Sequence, residues 1–476
     1  MAGDGDDRAG LRRTLGLLGA IGISIALIAP SMAANINPQA TAKIVGRAVP
    51  LAFALSLAGV LLVAYGFVRL TQRYAHAGSV YGLVGLTLGP RAGVLAGWAL
   101  LGTYVLFAVV TGTAAGIFAT TFLDAIGVWN DPPQWAPFVV APVLLVVGWI
   151  VATLPTKPVT RVLLSAEGIT VALILAIALV ILVKLISGDT PRGQTFTLDV
   201  FVPPAGVSGG DVFKGAIFGF LSFAGFEAAA TLAEETNAPR RNIPRAILGT
   251  ALVAGGYFVV VTAIEVMGFG TGPRGIAALT GSGSLLGDLG SVYIADWIGD
   301  LVTLGTAVSA FACALASSVG ASRLLFAFGR DGVGPRALGR VSEGSAEPLV
   351  ALAVVAAAVL TILLGLWAFA TDKPLDVFSW SATIGTLILL VAYGLAAIGA
   401  LRMLFAPGAL RRLHWEAVFP LGALVVIGFT YRYNIDFSAT GAALWNPIVA
   451  GIWIAAGVVI VLGFPGVARR VAAALA

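Results

Sequence analysis

A carboxylate stands where a lipid-soluble helix should be apolar. Glu227 lies in the stretch Phe218–Gly249, FGFLSFAGFEAAATLAEETNAPRRNIPRAILG, next to the small residues Ser222, Ala224 and Gly225. Non-helical backbone at membrane depth is tolerated only where it is buried in protein or lines a cavity. An ionisable residue there is a functional candidate by default. Backbone groups freed at such a break can replace water around a charged solute. The competing reading is a packing break, with Glu227 satisfied by one partner on a neighbouring helix. The same run ends in a basic turn, Arg240-Arg241-Asn242-Ile243-Pro244-Arg245. Glu227, Arg240 and Arg241 are therefore gating candidates, and topology-setting charge is the alternative for the arginines.

A second interruption lies upstream, where Gly16, Gly19, Gly22 and Ser24 are followed by Pro30-Ser31. A zwitterionic solute needs one group of donors and one of acceptors. Free N–H groups around Gly22, Ile23, Ser24, Ile25 and Ala26, at the start of a resumed half-helix, suit a carboxylate. Carbonyls ending the first half of the later helix, at Phe220, Leu221, Ser222 and Phe223, suit an ammonium, with Gly225 permitting the turn. Ser24 and Ser222 add hydroxyls. Phe220, Phe223 and Phe226 recur at intervals of three and share a face only while the helix is unbroken; packing against a neighbouring span explains them equally well.

Energy coupling has three candidates. Glu167 lies about two turns into an apolar run, where a carboxylate suits proton exchange or simply pairs with Arg161. Ser317 and Ser318 offer hydroxyl oxygens to Na⁺, a hard cation. Exchange of substrates with neither ion is the third. The partners that these residues suit are a small charged solute, H⁺ (Na⁺ as the alternative) and the lipid bilayer.

The elements that must hold these groups follow from composition. Of 476 residues, 59 % are hydrophobic and only 11 % charged, against about 25 % charged in soluble domains. A spanning helix needs roughly 20 apolar residues. Such runs fall at 15–38, 49–70, 92–122, 136–154, 162–186, 212–233, 246–268, 297–328, 348–370, 377–401, 415–432 and 443–464. The fold class expected is an all-α polytopic membrane protein with twelve transmembrane helices. With the N-terminus in the cytoplasm, 20 of the 28 Lys and Arg fall on the cytoplasmic side, which supports both the count and an N-in, C-in topology. The basic balance then reports an anionic leaflet, not nucleic acid. Gly93/Gly97 and Gly112/Gly116 read as helix-packing pairs.

Other chemistries lack their residues. His76 and His414 stand apart, and Cys313 is the sole cysteine, so neither a thiolate metal site nor a disulfide framework is expected. No phosphate-cradling GxxxxGK[ST] occurs. No cofactor and no enzymatic constellation is expected. The 1–14 segment reads as a disordered cytoplasmic terminus, and 187–211 as an extracellular loop. Arginine outnumbers lysine 23 to 5, a bias that suits a GC-rich bacterial genome.

Three motifs together resemble the amino acid–polyamine–organocation (APC) permeases. One is Phe223-Ala224-Gly225-Phe226-Glu227 leading through Glu234-Glu235 to Asn237-Ala238-Pro239-Arg240-Arg241-Asn242-Ile243-Pro244-Arg245-Ala246-Ile247. Another is Ser322-Arg323-Leu324-Leu325-Phe326-Ala327-Phe328-Gly329-Arg330-Asp331-Gly332. The third, weaker, is Ala77-Gly78-Ser79-Val80-Tyr81 with Leu88-Gly89 and Gly97-Trp98. The resemblance covers roughly residues 15–465. It implies a five-plus-five inverted repeat, 15–186 and 212–402, with two extra C-terminal helices in 403–476. It also implies secondary transport of amino acids or related amines across the cell membrane by alternating access. The chain departs from the family pattern at three places: Gly22-Ile23-Ser24 replaces a Gly-Ser-Gly or Gly-Ala-Gly turn, Leu221 stands where some members place an aromatic gate, and about Thr170 no lysine is present, with Glu167 nearby instead.

Overall fold

The computed structural model describes residues 16–74, 80–153, 156–232, 236–340, 348–405 and 415–463. The 1–14 segment, His76, His414, Glu234 and Glu235 lie outside the described residues. In chain order the helices are α1 (Leu17–Ile28), α2 (Pro30–Val45), α3 (Val49–Arg73), α4 (Val80–Leu88), α5 (Pro90–Ala125), α6 (Ala136–Ala152), α7 (Thr156–Ser187) and α8 (Gly209–Phe223). They continue with α9 (Pro239–Phe269), α10 (Pro273–Gly281), α11 (Leu285–Tyr293), α12 (Asp296–Arg330), α13 (Leu349–Phe369), α14 (Pro374–Leu404), α15 (Val418–Asn434) and α16 (Ala442–Gly463). There is no β-strand among the described residues.

Proline opens α2, α3, α5, α6, α9, α10 and α14, where its fixed φ is pre-set and its missing N–H costs nothing. At the start of α8, Ser208 Oγ accepts from the Asp211 N–H (3.2 Å) while Asp211 accepts from the Ser208 N–H (2.8 Å), a reciprocal capping pair.

Nine helical stretches among the described residues are long and apolar enough to cross a membrane, with α2 and α3 forming one of them. The other apolar helices are shorter: α1 has 12 residues, α6 and α15 17 each. The chain is a polytopic helical membrane protein. Its centre is α5, 78 % of whose most apolar window is buried, and α14, at 72 %; α13 and α16, at 28 %, lie outermost. Large exposed side chains such as Val143, Ile150, Leu179, Val183 and Ile452 form the outer surface, as lipid contact requires. The four packing glycines are close approaches: a Cβ at Gly93 would meet Gly85, at Gly97 Tyr81, at Gly112 Leu145 and at Gly116 Pro137 and Ala141.

Some details differ from the sequence reading. The first apolar run is two helices, α1 and α2, and the segment between α9 and α12 holds two short helices, α10 and α11. The 187–211 segment contains a 3-10 turn at Leu198–Phe201.

A candidate substrate site between two interrupted helices

The interruption in the first span falls at Ala29, not at Gly22–Ala26. Gly22 to Ala26 lie within the regular helix α1, and the side chains of Ile23 and Ala26 lie outside the described residues. Ala29 has φ 49° and ψ 60°, a left-handed conformation, and Pro30 begins α2. Glycine permits a break but does not impose one. Proline at a helix start favours one, because its ring disfavours the right-handed helical region for the residue before it, although Pro38, Pro142, Pro244 and Pro447 lie within continuous helices.

The second interruption lies where expected. α8 ends at Phe223, Ala224 is extended (ψ 126°), and Gly225 takes φ 105°, which favours glycine. A 3-10 segment, Phe226–Leu232, follows. The two breaks touch: a Cβ at Gly225 would meet Leu27 Cβ at 3.3 Å and the Leu27 backbone carbonyl at 3.4 Å.

Glu227 staples this turn. Its Oε2 accepts from the Tyr393 hydroxyl of α14 (2.9 Å) and from the Gly225 N–H (3.3 Å). The carboxylate thus has two partners, one local and one across the bundle. Phe220, Phe223 and Phe226 are fully enclosed. Phe220 lies against Gly59 of α3, Phe223 meets Phe258 of α9 edge-on (5.5 Å), and Phe226 meets Phe67 (5.9 Å) and Tyr393 (5.5 Å). These rings pack between spans, so α8 offers a solute backbone carbonyls rather than aromatic faces. Leu221 is buried, and the Ala224 N–H takes its carbonyl (3.1 Å).

α2 is the polar spine of the interior. Ser31, Asn35, Asn37, Gln39 and Thr41 are all buried along it. Asn35 donates to Thr306 (2.8 Å) and accepts from the Leu286 N–H (2.8 Å); Gln39 donates to the Ser282 carbonyl. Asn37 Nδ2 donates to Ser222 Oγ (2.6 Å), which itself donates to the Phe218 carbonyl (2.8 Å). In this orientation of the amide, Asn37 Oδ1 is left buried without a partner, as is Ser24 Oγ.

The start of α2 is held from two other helices. The Ser31 N–H donates to Glu167 Oε1 of α7 (2.9 Å) and the Met32 N–H to Ser309 Oγ of α12 (3.4 Å). The Ala33 N–H bonds the Ala29 carbonyl (2.9 Å). The Tyr257 hydroxyl also reaches the Pro30 carbonyl (3.3 Å), and on the α1 side of the break Cys313 Sγ reaches the Leu27 carbonyl (3.7 Å). The α12 groups bonded to the break are thus Ser309 and Cys313, one to two turns before Ser317 and Ser318. Both serines are buried, and Ser318 donates to Ala314 on its own helix (2.8 Å). Arg240 and Arg241 are exposed in the first turn of α9, away from both breaks, with no salt bridge among the described residues.

Ser309, Tyr257, Asn37 and Tyr393 were not singled out from sequence. The signal for Asn37 was the run of polar residues ending the first apolar stretch. Glu265 carried a signal too, as an ionisable residue within 246–268. Both its oxygens are buried without a partner, and the residue is wholly enclosed in α9. The two sequence motifs far apart in the chain also meet, through the Tyr81 hydroxyl and Asp331 Oδ2 (3.2 Å).

A bundle of apolar helices around a polar interior, with two interrupted helices in contact there, is an arrangement that secondary transporters use. The comparisons agree. The profile of the Amino acid permease family matches residues 15–465, and the chain belongs to that family. It is similar to the branched-chain amino acid permease BcaP of Lactococcus lactis subsp. cremoris, at 25 % identity over 90 % of this chain and 89 % of that one. It is also similar to the low-affinity putrescine importer PlaP of Escherichia coli K12, at 27 % identity over 69 % of each chain. An uncharacterised transporter of Mycobacterium tuberculosis is 28 % identical over 94 % of this chain and 91 % of its own length.

Proposed function

We propose that this protein is a secondary active transporter that moves an amino acid or related amine across a bacterial cytoplasmic membrane by alternating access, driven by protons. The observation that carries this reading is the contact of the two interrupted helices, Gly225 against Leu27. Broken helices that meet in the bundle interior free backbone groups for a charged solute, and rocking one half against the other exposes that point to each side in turn. The relatives named above divide between branched-chain amino acids and putrescine, which supports the substrate range.

In this reading α1 and α2 together make one span, α3 the next, and α6 and α15 cross although short. The total is then twelve, arranged as a five-plus-five inverted repeat with α15 and α16 appended and both termini cytoplasmic. The substrate lies among Gly22–Ala26, the Ala29–Ser31 break, and the Phe220–Gly225 end of α8. Glu167 is the proton-coupling candidate, and Ser317 and Ser318 belong to the sodium alternative. Glu227, Arg240 and Arg241 serve the inner gate.

Uptake into reconstituted vesicles tests this. A labelled panel of amino acids and amines, with imposed pH and sodium gradients, should give accumulation that follows the pH gradient. Accumulation that follows sodium, or counterflow that ignores both gradients, replaces proton coupling with symport or exchange. Conductance or binding without uptake sinks the transporter reading.

A further inference from the structure

The two N–H groups of the first turn of α2 that follow Pro30 are committed to side chains from other helices. A helix leaves its first four N–H groups without intrahelical partners, and that positive end is where an anionic group ordinarily docks. Here Pro30 has no N–H. The Ser31 N–H is on Glu167 (2.9 Å) and the Met32 N–H on Ser309 (3.4 Å), while the Ala33 N–H makes the first intrahelical bond, to Ala29 (2.9 Å). The protein thus supplies its own carboxylate at the place where a substrate carboxylate would bind.

The groups left over around the breaks include acceptors, beside the unpartnered hydroxyls of Ser24 and Ser31. Asn37 Oδ1 is wholly buried and unpartnered beside Ser222, near the end of α8. The last four carbonyls of α8, Phe220 to Phe223, have no i+4 donor within that helix, and among them the Leu221 carbonyl has been taken by Ala224. Three carboxylates, Glu167, Glu227 and Glu265, are 8 %, 5 % and 0 % exposed. None of the three is in a salt bridge, since the two salt bridges among the described residues are Arg69–Glu416 and Arg330–Asp331. Glu265 has no hydrogen-bond partner. Taking an unpaired carboxylate out of water is costly unless it takes up a proton or a positive charge accompanies it. Ser24 Oγ is the one unpartnered hydroxyl of α1, and a lone hydroxyl does not neutralise a substrate carboxylate.

We infer that the cargo is an amine without a free carboxylate, held by its ammonium on acceptors at the α2–α8 junction, and that Glu167 excludes amino acids by occupying the α2 donors. This rests on the transporter reading above and selects within it. The balance of charge runs the same way: a zwitterion brings no net charge into an acidic interior, whereas an alkylamine or diamine brings one or two positive charges.

Two matched pairs test it, each differing by one carboxylate: 1,4-diaminobutane against ornithine, and 3-methylbutylamine against leucine. The purified full-length protein is reconstituted, and uptake and competition are measured for all four. The expected result is that wild type takes at least one amine with about tenfold or greater preference over its acid. Read as competition for binding without an imposed gradient, Glu167→Ala, which frees the Ser31 N–H, should narrow that ratio about tenfold, and Glu167→Gln, which keeps an acceptor on that N–H, should preserve it. Wild type taking an amino acid as well as or better than its amine overturns the inference and leaves the transporter reading standing. An amine preference that Glu167→Ala does not move overturns the role given to Glu167. If neither pair nor any other member of the uptake panel is bound or carried, the transporter reading falls and the inference with it. Should Glu167→Ala fail to reconstitute, the wild-type comparison decides alone.

Discussion

Gly225 concentrates two separate demands at one residue. Its φ of 105° is a region that residues with a Cβ rarely adopt, at about 1–2 kcal/mol for the left-handed side of the map. A Cβ there would also press on Leu27 at 3.3 Å, tight enough that the first break must give way. Gly225→Ala should therefore melt a few degrees lower in detergent and lose uptake by about tenfold or more, because a tenfold change needs only about 1.4 kcal/mol at the critical geometry. Wild-type uptake with an unshifted melt would show that the turn is slack. This position was legible in sequence, since a glycine beside Ala224 inside an aromatic, apolar run has few other uses. Glu227 was only half legible. Its intramembrane charge was plain, but Tyr393, its partner 166 residues away, has no local signature. Leaving both of those groups unpaired would cost about 1–3 kcal/mol each, so this carboxylate holds the turn whatever part it plays in gating.

At the scale of elements, one dipeptide explains two helix starts. Ala29-Pro30 opens α2 and Ala238-Pro239 opens α9, each with the alanine left-handed, at φ 49° and 47°. The sequence reading assigned the first break to Gly22–Ser24 because glycines mark weak points. The residue that enforces it is Pro30, with its effect on Ala29. Glycines in α1 remain helical because neighbouring turns supply every hydrogen bond and nothing forbids continuation. Pro30→Ala tests this. Without the proline, α1 and α2 are free to run on as one helix, which would carry the Leu27 carbonyl away from Cys313 and the Ser31 N–H away from Glu167. The variant should insert and stay monodisperse, with stability equal to or above wild type by about 1 kcal/mol from relief of the left-handed alanine, yet lose uptake. Retained uptake would place the functional break elsewhere, and a loss of folding would make Pro30 structural alone. Arg240 and Arg241, by contrast, sit in the first turn of α9, where the helix dipole disfavours cations. Their position favours nothing in the folded helix itself, which fits charges kept for the membrane side or for a moving contact.

Across the whole molecule, polar and apolar tasks are divided between different helix contacts. The polar contacts gather on α2 and reach α7, α8, α11 and α12. The last two helices are fastened by packing at a distance from them. Trp98 of α5 and Trp453 of α16 stack at 4.7 Å and exchange hydrogen bonds: each indole N–H donates to the other residue's carbonyl, at 2.8 and 3.0 Å. Each ring also fills the space above a glycine, Trp453 over Gly102 and Trp98 over Gly457. α15 is tied down separately, by Arg69 with Glu416 and by Tyr65 stacked on Phe419 (4.1 Å). Twelve apolar runs could be read from sequence, but this Trp–Gly interlock could not, because it depends on a register between segments 355 residues apart. If α16 is a structural appendage, damage to the interlock should cost stability and spare the site. Gly457→Val forces a branched side chain into the indole, and overpacking of that kind costs about 1–3 kcal/mol. Trp98→Phe removes the interhelical donor to the Trp453 carbonyl, about 1 kcal/mol. Both variants should melt lower in detergent while substrate affinity, measured below the melt, stays within about twofold of wild type, as distant sites act independently. A Gly457→Val protein with an unchanged melt but shifted affinity would mean that α16 communicates with the two breaks through α5, and the appended helices would then belong to the transport machinery.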